Sequence, residues 1–156
     1  FARIFVAYAD CGTGGLLDRA LAGTGVERLP GAHCYEFFAG SDTFHVLAEE
    51  EPGTFYLTDF LVRHFDRLVV RGLGLDRQPG LKSAYFANYR RVVYLAQSES
   101  PELQEQAQRH AGFLGLEYRH VQCGDQPLTA ALAPRLRDRT RHRQELEMPQ
   151  EYLGSE

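Results

Sequence analysis

The sequence predicts an α/β protein with a Rossmann-like three-layer fold on a mostly parallel sheet of about five strands. Three observations carry that expectation. Short apolar runs alternate with stretches of helical periodicity, the pattern of βαβ units, whose parallel strands need helices on both faces. The first apolar run leads directly into a glycine-rich loop, Asp10-Cys11-Gly12-Thr13-Gly14-Gly15, and then into a helix. The chain has 156 residues, 44% of them hydrophobic, enough for one domain with one substantial core.

Each element follows from its residues. Ile4–Ala9 reads as the first strand. Leu16, Leu17, Ala20 and Leu21 recur at helical spacing before Gly23 and Gly25 stop the helix. Val26–Leu29 is a weaker second strand, closed by Pro30-Gly31. Ser41 is placed to cap a helix over Asp42–Glu51, which Pro52-Gly53 breaks, and Thr54–Leu57 is the third strand. Asp59 is placed to cap the next helix, with Phe60, Leu61, His64, Phe65 and Leu68 on one face and His64 as a core or rim histidine.

Gly72, Gly74, Pro79 and Gly80 mark a loop, followed by a short aromatic helix with Tyr85, Phe86 and Tyr89. Those aromatics sit at helical spacing, so core packing is the default for them; a pocket lid formed with Arg71–Arg77 is the alternative. Arg91–Ala96 is the strongest strand, and Ser100-Pro101-Glu102 starts a helix that runs to Leu114 and ends at Gly115. Glu117–Gln122 is the last strand and Thr129–Leu136 the last helix. Residues 1–134 are expected to form the domain. Residues 135–156, with Arg135, Arg137, Arg139, Arg141 and Arg143 ahead of Glu145 and Glu147, read as a solvated helix or a disordered arm.

Charge and composition exclude several classes. With 17 basic and 21 acidic residues the net charge is −4, which argues against a broad nucleic-acid face. No apolar run reaches the roughly 18 residues of a membrane span, and no signal-peptide pattern opens the chain. Three cysteines do not make a secreted disulfide scaffold, so a reduced, cytoplasmic setting is expected.

In open parallel sheets, ligands bind beyond the carboxyl ends of the strands. Three segments fall there, Asp10–Gly15, Ala32–Gly40 and Gln122–Asp125, and each carries one cysteine: Cys11, Cys34 and Cys123. Their spacings match no finger-type zinc motif, so any joint site depends on topology. A metal or cluster site, a reactive thiol and plain structural thiols all remain open, because cysteine is also a common buried residue.

The loop Asp10, Gly12, Thr13, Gly14, Gly15 allows close backbone approach to a ligand, with the helix start suited to a small anion. It has neither the Gly-x-Gly-x-x-Gly register nor the Lys-Ser/Thr of a P-loop. Over about six residues it resembles the acidic-glycine loop of S-adenosylmethionine-dependent methyltransferases. It departs from them where an acidic residue should close the second strand, since Leu29-Pro30-Gly31 stands there. A tight structural turn is the plainer reading. His33 and Glu36 flank Cys34 as candidate ligands or acid–base groups, and His33 is also a candidate base for either thiol. His45, His110, His120 and His142 read as surface residues.

Three longer segments carry a wider resemblance: Val6–Asp18, Gly31–Glu36 and Tyr85–Leu95. They resemble the uncharacterised domain of unknown function family 1638, over most of the chain up to about Leu132. That resemblance implies a setting beside corrinoid-dependent methyltransferases, with a corrinoid protein or methyltransferase as partner in one-carbon metabolism. It implies a further N-terminal strand–helix unit that this chain lacks, bearing another cysteine. The implied site is that cysteine with Cys11 and Cys34, near His33 and Glu36. Such a thiolate set suits zinc or an iron–sulfur cluster with one open position. Cys123 matches no family segment and is expected to be a bystander. The expected function is therefore a metal- or cluster-binding accessory enzyme. The alternatives are a metal-free nucleotide or S-adenosylmethionine module at the glycine loop and a structural domain of a methyltransferase assembly.

Overall fold

The computed structural model describes residues 4–133. The expected charged tail, the end of the last helix and His142 lie outside them. The elements run β1 (Phe5–Val6), α1 (Leu16–Leu21), β2 (Glu27–Arg28), α2 (Tyr35–Ala39), α3 (Ser41–Glu50), β3 (Thr54–Thr58) and α4 (Asp59–Arg63). A π-helical turn at Asp66–Val70 follows, then α5 (Leu81–Tyr85), β4 (Arg91–Ala96), α6 (Pro101–Leu114) and β5 (Glu117–Gln122). Residues 126–133 are helical.

The α/β class and the parallel pairing hold. The described strands pair in parallel as two ladders, β1–β2 and β3–β4–β5, instead of one continuous sheet of five. The first two strands are also shorter than their apolar runs. The Tyr8 N–H turns back onto the Val6 carbonyl at 2.8 Å, which ends β1 after two residues. Pro30 lies just past β2, where it offers no N–H to extend a ladder.

β4 is the centre of the molecule: Val92, Val93, Tyr94, Leu95 and Ala96 are all essentially inaccessible. Its run of apolar residues without alternation is what a strand covered on both faces requires. On one face Leu57, Val92, Tyr94 and Ala96 pack with Val62 and Phe65, and with Leu103, Ala107, Ala111 and Leu114 of α6. On the other, Tyr56, Val93 and Leu95 pack with Ala39 of α2 and with Phe44 and Leu47 of α3. These are the expected three layers.

α6 forms as its residues dictate. Ser100 accepts the Leu103 N–H, Pro101 occupies the first turn, and Gly115 closes the helix at φ 77°. Four other local expectations are corrected. Ser41 is the first residue of α3, which begins after Gly40. Thr58, not Asp59, caps α4, its side chain accepting from the Leu61 N–H. The buried residues of the α4 region are Val62, Phe65 and Val69, while Phe60 and Leu68 face solvent; at Leu68 and Val69 the π-helical turn shifts the helical phase. His110 is half-buried instead of lying on the surface: its ring stacks on Phe65 at 4.0 Å and its Nε2 lies 3.1 Å from the Val62 carbonyl. Of the aromatic segment, Phe86 is buried and Tyr89 packs against the core, whereas Tyr85 is exposed.

Candidate functional site

The chain leaves β1 and β2 in the same direction, because the two strands are parallel. Their following loops therefore meet. Asp10 N–H donates to the Gly31 carbonyl at 3.3 Å and Cys11 N–H to the Ala32 carbonyl at 2.8 Å. This backbone pairing brings the Cys11 and Cys34 sulfurs to 2.6 Å from each other. Each sulfur also faces a backbone donor: Cys34 N–H points at Cys11 Sγ (3.2 Å) and Ala9 N–H at Cys34 Sγ (3.5 Å). Cys11 is held at φ 45°, a left-handed conformation that an L side chain adopts at a cost.

The glycine loop folds around Asp10. Its carboxylate accepts the Thr13 hydroxyl and, at 3.2 Å, the Gly15 N–H; Thr13 N–H bonds the Asp10 carbonyl at 2.9 Å. The Thr13 and Gly15 donors hold the Asp10 carboxyl below its usual range. Gly12 and Gly14 both have positive φ, and a Cβ at either would meet nothing within 4 Å, so the loop is unpacked on its outer side.

Glu36 stabilises the second loop, accepting the Ala32 and His33 N–H groups at 3.3 Å each. Gly31 is needed there: its φ is 95°, and a Cβ would stand 3.2 Å from the Glu36 carboxylate. His33 is exposed, with its ring 5.6 Å from that of Phe44. Cys123 follows β5, packs beside the α2–α3 face of the core and points its thiol at the Val121 carbonyl, 3.5 Å away. Burial pushes that thiol's pKa up.

Three residues at this site carried no signal in the sequence reading. Tyr8 is exposed beside the two thiols, and the charge on Cys11 raises the phenol's pKa. Arg28 forks onto Asp18 of α1 (2.6 and 2.8 Å) and bonds the Leu29 and Gly31 carbonyls (2.5 and 3.3 Å), tying α1 to the second loop. Tyr35 packs its ring 5.1 Å from that of Tyr56, and burial pushes its hydroxyl up to about 12, with Cys11 and Cys34 adding to the effect. Burial likewise raises Cys34, and the hydrogen bond with Cys11 raises it further. Tyr8 stands three residues before Cys11, and Arg28 sits between Glu27 and Leu29 in a weak strand; neither pattern marks a site without the loop pairing.

Among the described residues, no group of three or more His, Cys, Asp or Glu side chains is arranged to hold a metal ion, and no helix is long and apolar enough to cross a membrane. Neither the curated proteins nor the solved structures include a match to this chain. The family model described as Protein of unknown function (DUF1638) matches residues 1–132, and the chain belongs to that family.

Proposed function

We propose that the protein is an accessory protein that binds zinc or an iron–sulfur cluster through Cys11 and Cys34. One observation carries this reading: two thiols from loops 23 positions apart converge to 2.6 Å with a backbone N–H aimed at each. Paired sulfurs with N–H donors are a donor set that suits soft or borderline metals, and such hydrogen bonds tune the metal that they surround.

The remaining positions would be filled by His33, by a further cysteine or by the substrate. His33 is exposed at the same loop and available as a ligand or acid–base group; Glu36 is engaged in holding that loop's N–H groups and acts by positioning. A zinc ion with an open position would supply Lewis acidity, and a cluster would supply electron transfer. The setting we infer, corrinoid-dependent methyl transfer with a corrinoid protein or methyltransferase as partner, rests on the family resemblance alone.

An anionic nucleotide or S-adenosylmethionine at Gly12–Gly15 draws less support. Asp10 already directs a carboxylate at that turn and takes the Gly15 N–H. The test is metal analysis of the full-length protein purified anaerobically. Zinc or iron near one equivalent, lost in Cys11→Ser and Cys34→Ser but kept in Cys123→Ser, is the expected result. Full-length protein with its cysteines reduced and neither metal above background would overturn the reading.

A further inference from the structure

We propose that Cys11 and Cys34 form a reversible disulfide with each other, making the sulfur pair a two-electron redox site. It uses the same two sulfurs as the metal reading but needs no metal. Two thiolates held by one tetrahedral zinc at about 2.3 Å each lie roughly 3.8 Å apart, whereas bonded sulfurs lie about 2.05 Å apart. The 2.6 Å between these two free thiols is nearer the second arrangement.

The surroundings fit. The loops that carry the sulfurs are already paired through the Cys11 N–H and the Ala32 carbonyl, so closing the bond orders little further chain. Gly12 and Gly14 stand in open space, which lets the first loop shift by the small distance needed. Cys11 Sγ has the nearer of the two backbone donors, the Cys34 N–H at 3.2 Å against 3.5 Å from the Ala9 N–H to Cys34 Sγ, and is the attacking group. Cys123 belongs to a different loop and points its thiol at a carbonyl.

A hydroperoxide is the oxidant. The Cys11 thiolate attacks its terminal oxygen, the O–O bond breaks, and the alcohol (or water) leaves with a proton, giving a sulfenic acid on Cys11. The Cys34 sulfur then displaces hydroxide from Cys11; the S–S bond forms, and the Cys34 proton leaves with the hydroxide as water. The peroxide gains two electrons and the two sulfurs lose them. A small dithiol returns both electrons by exchange.

The experiment uses full-length protein, reduced and stripped of metal with a chelator, then exposed to one equivalent of hydrogen peroxide and alkylated. Peptide mapping should show alkylation of Cys11 and Cys34 falling together by about tenfold, a Cys11–Cys34 cross-linked peptide, and recovery with dithiothreitol. Cys123→Ser should behave the same, and Cys34→Ser should leave a sulfenic acid on Cys11 that dimedone traps. Independent alkylation of the two cysteines, a cross-link to Cys123 or to a second chain, or over-oxidation without a cross-link would each overturn the assignment. A cross-link in protein that never holds zinc or iron leaves this redox site standing and removes the metal reading. Bound metal without any cross-link after stripping does the reverse.

Discussion

Tyr94 donates its hydroxyl to Asp59 Oδ1 across 2.8 Å inside the core, joining the central strand β4 to the first turn of α4. The same carboxylate receives the N–H groups of Gln97 (3.0 Å) and Ser98 (3.1 Å) and the Ser98 hydroxyl (2.5 Å). Asp59 N–H in turn donates to the Gln97 side chain at 2.9 Å. A buried carboxylate is tolerated only with such a set of donors.

Burial by itself would raise Asp59, but the donors from Ser98, Tyr94 and Gln97 outweigh it and leave its pKa below the ordinary 3.8. The folded state therefore holds this proton less tightly than the unfolded chain. The stabilisation is complete above pH 3.8 and is lost as pH falls through the lower folded value. Asp59→Ala should cost about 3 kcal/mol at neutral pH, since it leaves several buried donors unpaired. Urea unfolding at pH 7 and pH 3 should show the variant's deficit shrinking in acid; an equal deficit at both would refute the charge argument.

His110 produces a second pH effect in a different range. Burial holds its pKa below 6.5 despite the Val62 carbonyl nearby. Above pH 6.5 the residue is neutral in both states and costs nothing. As pH falls from there through the folded value, the unfolded chain takes up the proton first, and stability declines. His110→Phe, which keeps a ring against Phe65, should flatten the thermal-stability profile between pH 7 and pH 5.

Gly53 marks the close approach of two backbones ahead of β3. A Cβ there would lie 2.5 Å from the Asn88 carbonyl, and the Gly53 carbonyl itself accepts Arg90 N–H at 2.7 Å. Gly53→Ala should destabilise by about 1–3 kcal/mol. Gly80 has φ −62° and nothing within 4 Å of its Cβ position, so Gly80→Ala should be neutral or raise stability by up to about 1 kcal/mol. Chemical-denaturation midpoints of the pair check the contrast.

Arg28 fastens the loop after β2 to α1, while the core of β3, β4 and β5 does not use it. Arg28→Ala should loosen the loop after β2 and act locally. Hydrogen exchange is expected to rise at Asp10–Cys34 and to stay unchanged in Arg91–Ala96. Equal acceleration in both segments would show that the two ladders open as one unit.

Much of this was legible in the chain. Arg91–Ala96 and Glu117–Gln122 coincide with their strands residue for residue: the first is a continuous apolar run bounded by turn signals, and the second is a short stretch with Tyr118 and Val121 that follows the glycine stop at Gly115. The α6 boundaries were legible for the same local reason: serine cap, proline in the first turn, glycine at the end. Asp10–Gly15 and Ala32–Gly40 were recognisable as the segments that follow strands, although α2 (Tyr35–Ala39) inside the second was not, so Cys11 and Cys34 could each be placed at a strand end from the sequence alone. What the chain by itself determined is therefore the class, the parallel alternation and the strong local elements. Tertiary structure decided the rest. It split the strands into two ladders, turned Asp59 from a cap into a buried junction, and placed His110 against Phe65. It also brought Cys11 and Cys34 together with Tyr8 and Arg28. Those outcomes depend on contacts between residues far apart in sequence, which no local period or motif encodes.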